Sequence, residues 1–164
     1  MDLNLDQLKI TANSFIKISK NLISNKNPEK EGGYLTLALN AFSIKHVLEI
    51  GNYNIEKKEK YLRFSQEKAH RLYSDWLRDP ASVSSWQTRQ PEINKYGGAV
   101  LFNFVNNLSP SCNIISFSGL NEHADETVSF MLAYHLNLAN SSDLEKITRI
   151  SKNQVLEEMF KKFK

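Results

Sequence analysis

The residues best equipped for chemistry lie in two stretches. The first is IISFSGLNEHADETV, residues 114–128, where a run of strand formers breaks at Ser118-Gly119 and is followed by His123, Asp125 and Glu126. On a helix His123 and Glu126 stand three positions apart and share a face, so they could pass a proton or co-ligate a metal. A metal needs about three or four ligands, and His46, His70 and His135 show no recognisable ligand spacing. His135 lies ~18 Å from His123 along one helix and cannot complete the same site. Proton transfer by His123 with Asp125 or Glu126 is the chemistry this cluster offers. Its structural alternative is a helix start, with Asn121 as N-cap and Glu122, Asp125 and Glu126 complementing the dipole.

The second stretch is SSWQTRQPE, residues 84–92, with Tyr96 close behind. Trp86 and Arg89, three apart, place an aromatic surface beside a guanidinium, which suits a planar or anionic ligand by stacking and forked hydrogen bonds. In the alternative, Trp86 covers the sheet edge and Arg89 pairs with a surface acid. Other nucleophiles carry less. Ser118 stands in S-F-S-G, not in G-x-S-x-G. Cys112, the single cysteine, has no positive neighbour to activate it and excludes both an intrachain disulfide and a thiolate metal cage. There is no Walker loop, no G-x-G-x-x-G after a strand and no H-E-x-x-H.

The elements that must position these residues follow from periodicity. Apolar residues at helical spacing predict a helix over 4–24, and NKNPEKEGG (25–33) breaks it. YLTLALNAF and KHVLEIGNYN, with AFSI as the bend, predict a hairpin over 34–54. EKKEK reads as a polar connection into a helix over 62–77, which Pro80 ends. Residues 78–96 have no clear period and read as a long loop, of a kind that is often functional. GGAVLFNFV and CNIISFS, joined by NNLSPS, predict a second hairpin over 97–118. Helices over 121–138 and 142–162 follow, the latter capped by Ser142 with Glu145 in capping-box register. This order predicts one α+β domain, with an antiparallel sheet of about four to five strands and helices packed on a face.

Bulk properties agree with an ordinary globular protein. The chain has 164 residues, 41% of them apolar and 24% charged, and a formal charge of +3 from 21 basic and 18 acidic residues. The lysines are scattered among glutamates, with KKFK (161–164) the one basic run, so no nucleic-acid partner is expected. The N-terminus, MDLNLDQLKITANSF, lacks the positive charge and apolar core of a signal peptide, and no segment approaches the ~18 apolar residues of a membrane span. No membrane partner and a cytoplasmic location are the expectations.

Three motifs, in order, resemble the GlcG/HbpS-like family, often described as haem-binding or haem-degrading domains. EKAHRLY (67–73) is similar to that family's K-A helix, and Gly97-Gly98 to its strand-opening glycine pair. Ser118-Gly119, followed after five residues by Asp125-Glu126, is similar to its S-G and D-E pair. The resemblance spans residues 34–136 and implies an antiparallel α+β fold, homo-oligomers (dimers or larger rings), and haem or corrinoid-related ligands in some members. The chain departs from it at LNAFSIKHV, in the length between Gly98 and Ser118, and in its additional C-terminal helix. A pocket near Gly97, Gly98, Ser118, Gly119, Asp125 and Glu126 is what the resemblance implies, and chemistry adds Trp86, Arg89, Tyr96 and His123. The functional expectation is an oligomeric binding module for haem or another small planar or anionic ligand. The alternatives are an acid–base enzyme built on His123 with Asp125 or Glu126, and a structural interaction domain.

Overall fold

The computed structural model describes residues 3–23, 30–39, 46–106 and 109–163. Helix α1 (Leu5–Leu22) is capped by Asn4, whose side chain accepts from the Gln7 N–H. Strands β1 (Lys30–Ala38) and β2 (His46–Tyr53) pair antiparallel, and a 3₁₀ turn at Ile55–Lys57 leads into α2 (Lys58–Arg78). Strands β3 (Ala99–Asn106) and β4 (Ser109–Ser118) pair next, followed by α3 (Glu122–His135), α4 (Ser141–Ser151) and α5 (Gln154–Lys162). The strands form one antiparallel sheet in the order β2-β1-β4-β3. The fold is therefore α+β. The bends at AFSI and at residues 107–108 lie outside the described residues.

Helices cover both faces of the sheet, not a single one. Leu35 and Leu37 of β1 and Ile115 and Phe117 of β4 face the side where Phe15, Ile16, Val128, Phe130, Leu156 and Met159 pack. Side chains alternate along a strand, so Ala38, Leu101 and Ile114 face the other side, against Ala69, Leu72 and Trp76 of α2. Thr36 also points that way, its hydroxyl 2.9 Å from that of Ser65. Double burial explains why YLTLA and CNIISF read as almost continuous apolar runs rather than clean alternations. Each fully buried phenylalanine or leucine here contributes roughly 1.5–3 kcal/mol of transfer free energy.

Four local expectations change. Residues 58–60 of EKKEK belong to α2, which starts earlier than predicted. Helix α1 ends at Leu22, as the NKNPEKEGG stretch leads one to expect, but β1 starts at Lys30 rather than at 34, so Gly32 and Gly33 lie inside it, where neighbouring backbone passes in the place of a side chain. A Cβ on Gly33 would lie 2.0 Å from the Ser118 carbonyl oxygen. The predicted 142–162 helix is two helices, broken where Lys152 takes a left-handed conformation (φ 55°) and buried Asn153 caps α5 through the Leu156 N–H. The cap of α4 is Asn140 in a capping box with Asp143, in place of Ser142 with Glu145.

The 78–96 segment is ordered by short-range chemistry. It holds 3₁₀ turns at Ser85–Thr88 and Pro91–Ile93 and single bridges Ser84–Val100 and Gln90–Lys95. Arg71 of α2 fastens it: Nη1 donates to the Ser85 and Thr88 carbonyls (3.0 and 3.2 Å) and Nη2 to the Tyr96 carbonyl (2.6 Å). Asp75, one turn on, accepts from the Thr88 hydroxyl at 2.7 Å. The long loop is thus a fixed strap beside α2.

Candidate ligand site

A cavity of about 320 Å³ opens beside the N-terminal half of α2. Helical spacing brings Lys60, Tyr61, Phe64 and Lys68 of α2 to it, the strap brings Tyr96, and the end of β4 brings Ser118. The start of α3 contributes Asn121, Glu122 and Asp125, and Lys30 and Lys57 complete the rim. Phe64 packs on Tyr96 (centroids 5.1 Å apart) and lies within 5.6 Å of the Lys60 ammonium. The wall is aromatic and the rim is basic.

Lys68 and Asp125 form the floor. Lys68 Nζ donates to Asp125 Oδ2 at 2.8 Å and to the Phe117 carbonyl at 2.9 Å. Asp125 Oδ1 accepts from the Leu120 N–H at 2.9 Å, so both carboxylate oxygens are engaged. The two residues are 1% and 3% exposed. Burial pushes the Asp125 carboxyl above its ordinary range, against the pull of Lys68 and the Leu120 N–H. Gly98, at φ 120°, lets the pair close: a Cβ there would lie 2.7 Å from Asp125 Cβ and 2.9 Å from Lys68 Nζ.

The helix start at Asn121 is self-satisfied. The Asn121 side chain accepts from the Ala124 N–H, as the sequence predicts for a cap. Glu122 takes both arms of Arg89 (2.7 Å each) and the Gly97 N–H (2.8 Å). Burial works to raise the Glu122 carboxyl, but the Arg89 fork and the Gly97 N–H outweigh it and hold it below its usual value.

The predicted site residues divide accordingly. Tyr96, Ser118 and Asp125 line the cavity. Trp86, Arg89 and His123 form a neighbouring stack, joined to it through Glu122: the imidazole lies 4.7 Å from the indole at 24°, and the guanidinium 5.0 Å from the indole. Arg89 pairs with an acid, and Trp86 is seated against Gly97, where a Cβ would come within 2.4 Å of the indole nitrogen. Gly97, Gly98 and Gly119 serve through close backbone approach. His123 Nε2 lies 3.0 Å from the Ser151 carbonyl, which can only accept, so Nε2 carries the hydrogen.

Glu126 turns away from the cavity. It is fully buried, accepting from the Ser84 hydroxyl (2.8 Å) and the Asn153 amide (3.0 Å). Burial pushes its carboxyl up to about 7, against hydrogen bonds from Ser151, Asn153 and Ser84. His123, Asp125 and Glu126 therefore meet three different sets of partners and do not converge on one point.

Sequence reasoning did not nominate Lys60, Tyr61, Phe64, Lys68 or Glu122. For Lys68 a signal existed: it lies four positions after Phe64 and four before Leu72, on the apolar stripe of α2. A lysine inside a buried stripe needs a buried partner. Among the described residues no group of three or more His, Cys, Asp or Glu could share a metal ion, and no helix is long and apolar enough to cross a membrane. The cavity lining also tests the haem expectation. It offers an iron no histidine, methionine or cysteine, so haem held by any of these does not fit. No protein-family model, curated protein or solved structure matches the chain.

Proposed function

We propose that this protein is a binding module for a small anionic ligand carrying a planar or otherwise compact body, received in the cavity between α2, the strap and the start of α3. The observation that carries this reading is the charge balance of the lining. Three lysines of the lining, Lys30, Lys60 and Lys68, face two carboxylates, and those carboxylates are already matched by Lys68 and Arg89. The surplus positive charge sits over an aromatic wall, a pairing that suits ring-bearing or compact anions. The volume lies at the small end of metabolite pockets, which run from about 300 Å³. Self-association, which the GlcG/HbpS-like resemblance implies, belongs to the same proposal, and the outer edge of β2 has no strand partner among the described residues.

Calorimetric titration with phenyl phosphate, beside phenol as the neutral control, tests the reading. Phenyl phosphate should bind and phenol should not, and Lys60→Ala should weaken the affinity about tenfold, or 1.4 kcal/mol. Equal heats for the two compounds would remove the anion from the proposal. Native mass measurement tests the oligomer separately, a strictly monomeric mass counting against it.

A further inference from the structure

We infer that Lys68 is an imine-forming lysine, condensing reversibly with the aldehyde or ketone group of a small phosphate- or carboxylate-bearing carbonyl compound lodged in the cavity. This rests on the anion-binding reading above and assigns a chemistry to the floor of the same site.

The amine is placed for it. Lys68 is not lost in either apolar cluster but lines the cavity, although it is almost wholly withdrawn from bulk water. An ammonium has three N–H donors. Two are held, by Asp125 Oδ2 and the Phe117 carbonyl, and the third has no partner among the described residues. Gly98 leaves the nitrogen uncrowded, since a Cβ there would stand 2.9 Å from it. A buried ammonium with two of its three donors matched, in the wall of a cavity, is an arrangement that a ligand oxygen or carbonyl carbon would complete.

Asp125 is placed as the proton acceptor. It is hydrogen-bonded to the ammonium, and its burial favours the uncharged carboxyl. Moving one proton from Lys68 to Asp125 replaces a buried charged pair with a buried neutral one, which costs less to keep from water. The rim lysines would hold the anionic end of the ligand, so its carbonyl would reach the floor first.

The step balances without an oxidant or reductant. Lys68 gives a proton to Asp125, and the amine lone pair forms a C–N bond as the carbonyl π pair moves to oxygen. That oxygen takes the proton back from Asp125. A second N–H proton and the hydroxyl then depart as water, and the C=N bond forms. A purely structural ion pair would share the distances but would not form this bond.

The test uses the full chain with glycolaldehyde phosphate and sodium cyanoborohydride, which reduces an imine to a stable secondary amine, followed by peptide mass spectrometry. The expected result is an adduct on Lys68 at about tenfold the level on the exposed Lys9, Lys17 and Lys146, suppressed by excess phenyl phosphate. Asp125→Asn should lower that adduct about tenfold, but the native chain alone decides the matter. If glycolaldehyde phosphate competes with phenyl phosphate for the chain yet labels only surface lysines, the imine is overturned and the anion site stands. If it neither competes nor labels Lys68, the imine is overturned, and the anion site stands or falls on whether phenyl phosphate itself binds.

Discussion

Lys68 Nζ and Asp125 Oδ2, 57 positions apart in sequence and on different helices, lie 2.8 Å from each other at the closed end of a cavity rather than inside either apolar cluster. The pair ties α2, on one face of the sheet, to the first turns of α3, on the other. The route runs past the end of β4, whose Phe117 carbonyl accepts from the same ammonium. Position, not bond count, makes the pair informative: a buried ion pair adds little net stability, because desolvation consumes most of the Coulombic gain.

Removing one partner is another matter. Lys68→Met or Asp125→Asn leaves a group at the floor without its partner, and either change should cost about 3–5 kcal/mol. The double variant Lys68→Met/Asp125→Leu should cost clearly less than the two single losses added together. Urea denaturation of the four proteins measures the coupling, and strictly additive losses would mean the two groups do not act as a pair.

Glu126 sets a pH dependence. Its carboxyl titrates near 7 in the folded chain and near 4.5 in the unfolded one. Between those values the unfolded chain releases a proton that the folded chain keeps, so stability falls as pH rises through that window. The effect amounts to about 3 kcal/mol at most. Glu126→Gln keeps the carbonyl that accepts from Asn153 or Ser84 and removes the titration. Its stability should therefore descend less steeply from pH 5 to pH 7 than the native curve, as denaturation at a series of pH values would show.

Gly98→Ala should destabilise by about 1–3 kcal/mol, since the new Cβ meets Asp125 and Lys68 and the backbone must hold an unfavourable φ. Gly97→Ala reports on the other side, because its Cβ overlaps the Trp86 indole. Indole fluorescence should shift in Gly97→Ala and not in Gly98→Ala. Identical spectra for all three proteins would contradict this placement of the indole.

Arg71→Lys tests the strap. A lysine cannot reproduce a guanidinium that donates at once to Ser85, Thr88 and Tyr96. Amides and cleavage sites between Asp79 and Gly97 should become accessible to exchange and protease, while the sheet amides stay protected. Uniform protection across 79–97 would show that the strap holds without Arg71.

Most of the elements were legible because their information is local. Helical spacing announces α1, α2 and α3, and turn residues bracket the two hairpins. What escaped was set by partners far along the chain. Gly32-Gly33 reads only as the end of a helix-breaking stretch, and its place inside β1 shows only when Ser118 and Gly51 pass beside it within the sheet. Asn153 reads as the interior of a helix until His123 and Glu126 give its amide somewhere to donate. Within the candidate site, Tyr96, Ser118 and Asp125 were visible as chemistry-bearing residues at a strand end and helix start. Lys68 was visible only as an anomaly of the α2 stripe, and no spacing rule links Arg89 to Glu122, 33 residues away.

We propose above all that the cavity beside α2 receives an anion. Backbone amide shifts recorded during titration with phenyl phosphate test it most directly, because they locate the ligand as well as detect it. An anion in this cavity should give saturable shifts concentrated at residues 57–68, at Tyr96 and at residues 118–125, with β2 and α5 silent. Shifts confined to any other surface, or none at millimolar ligand, would contradict it.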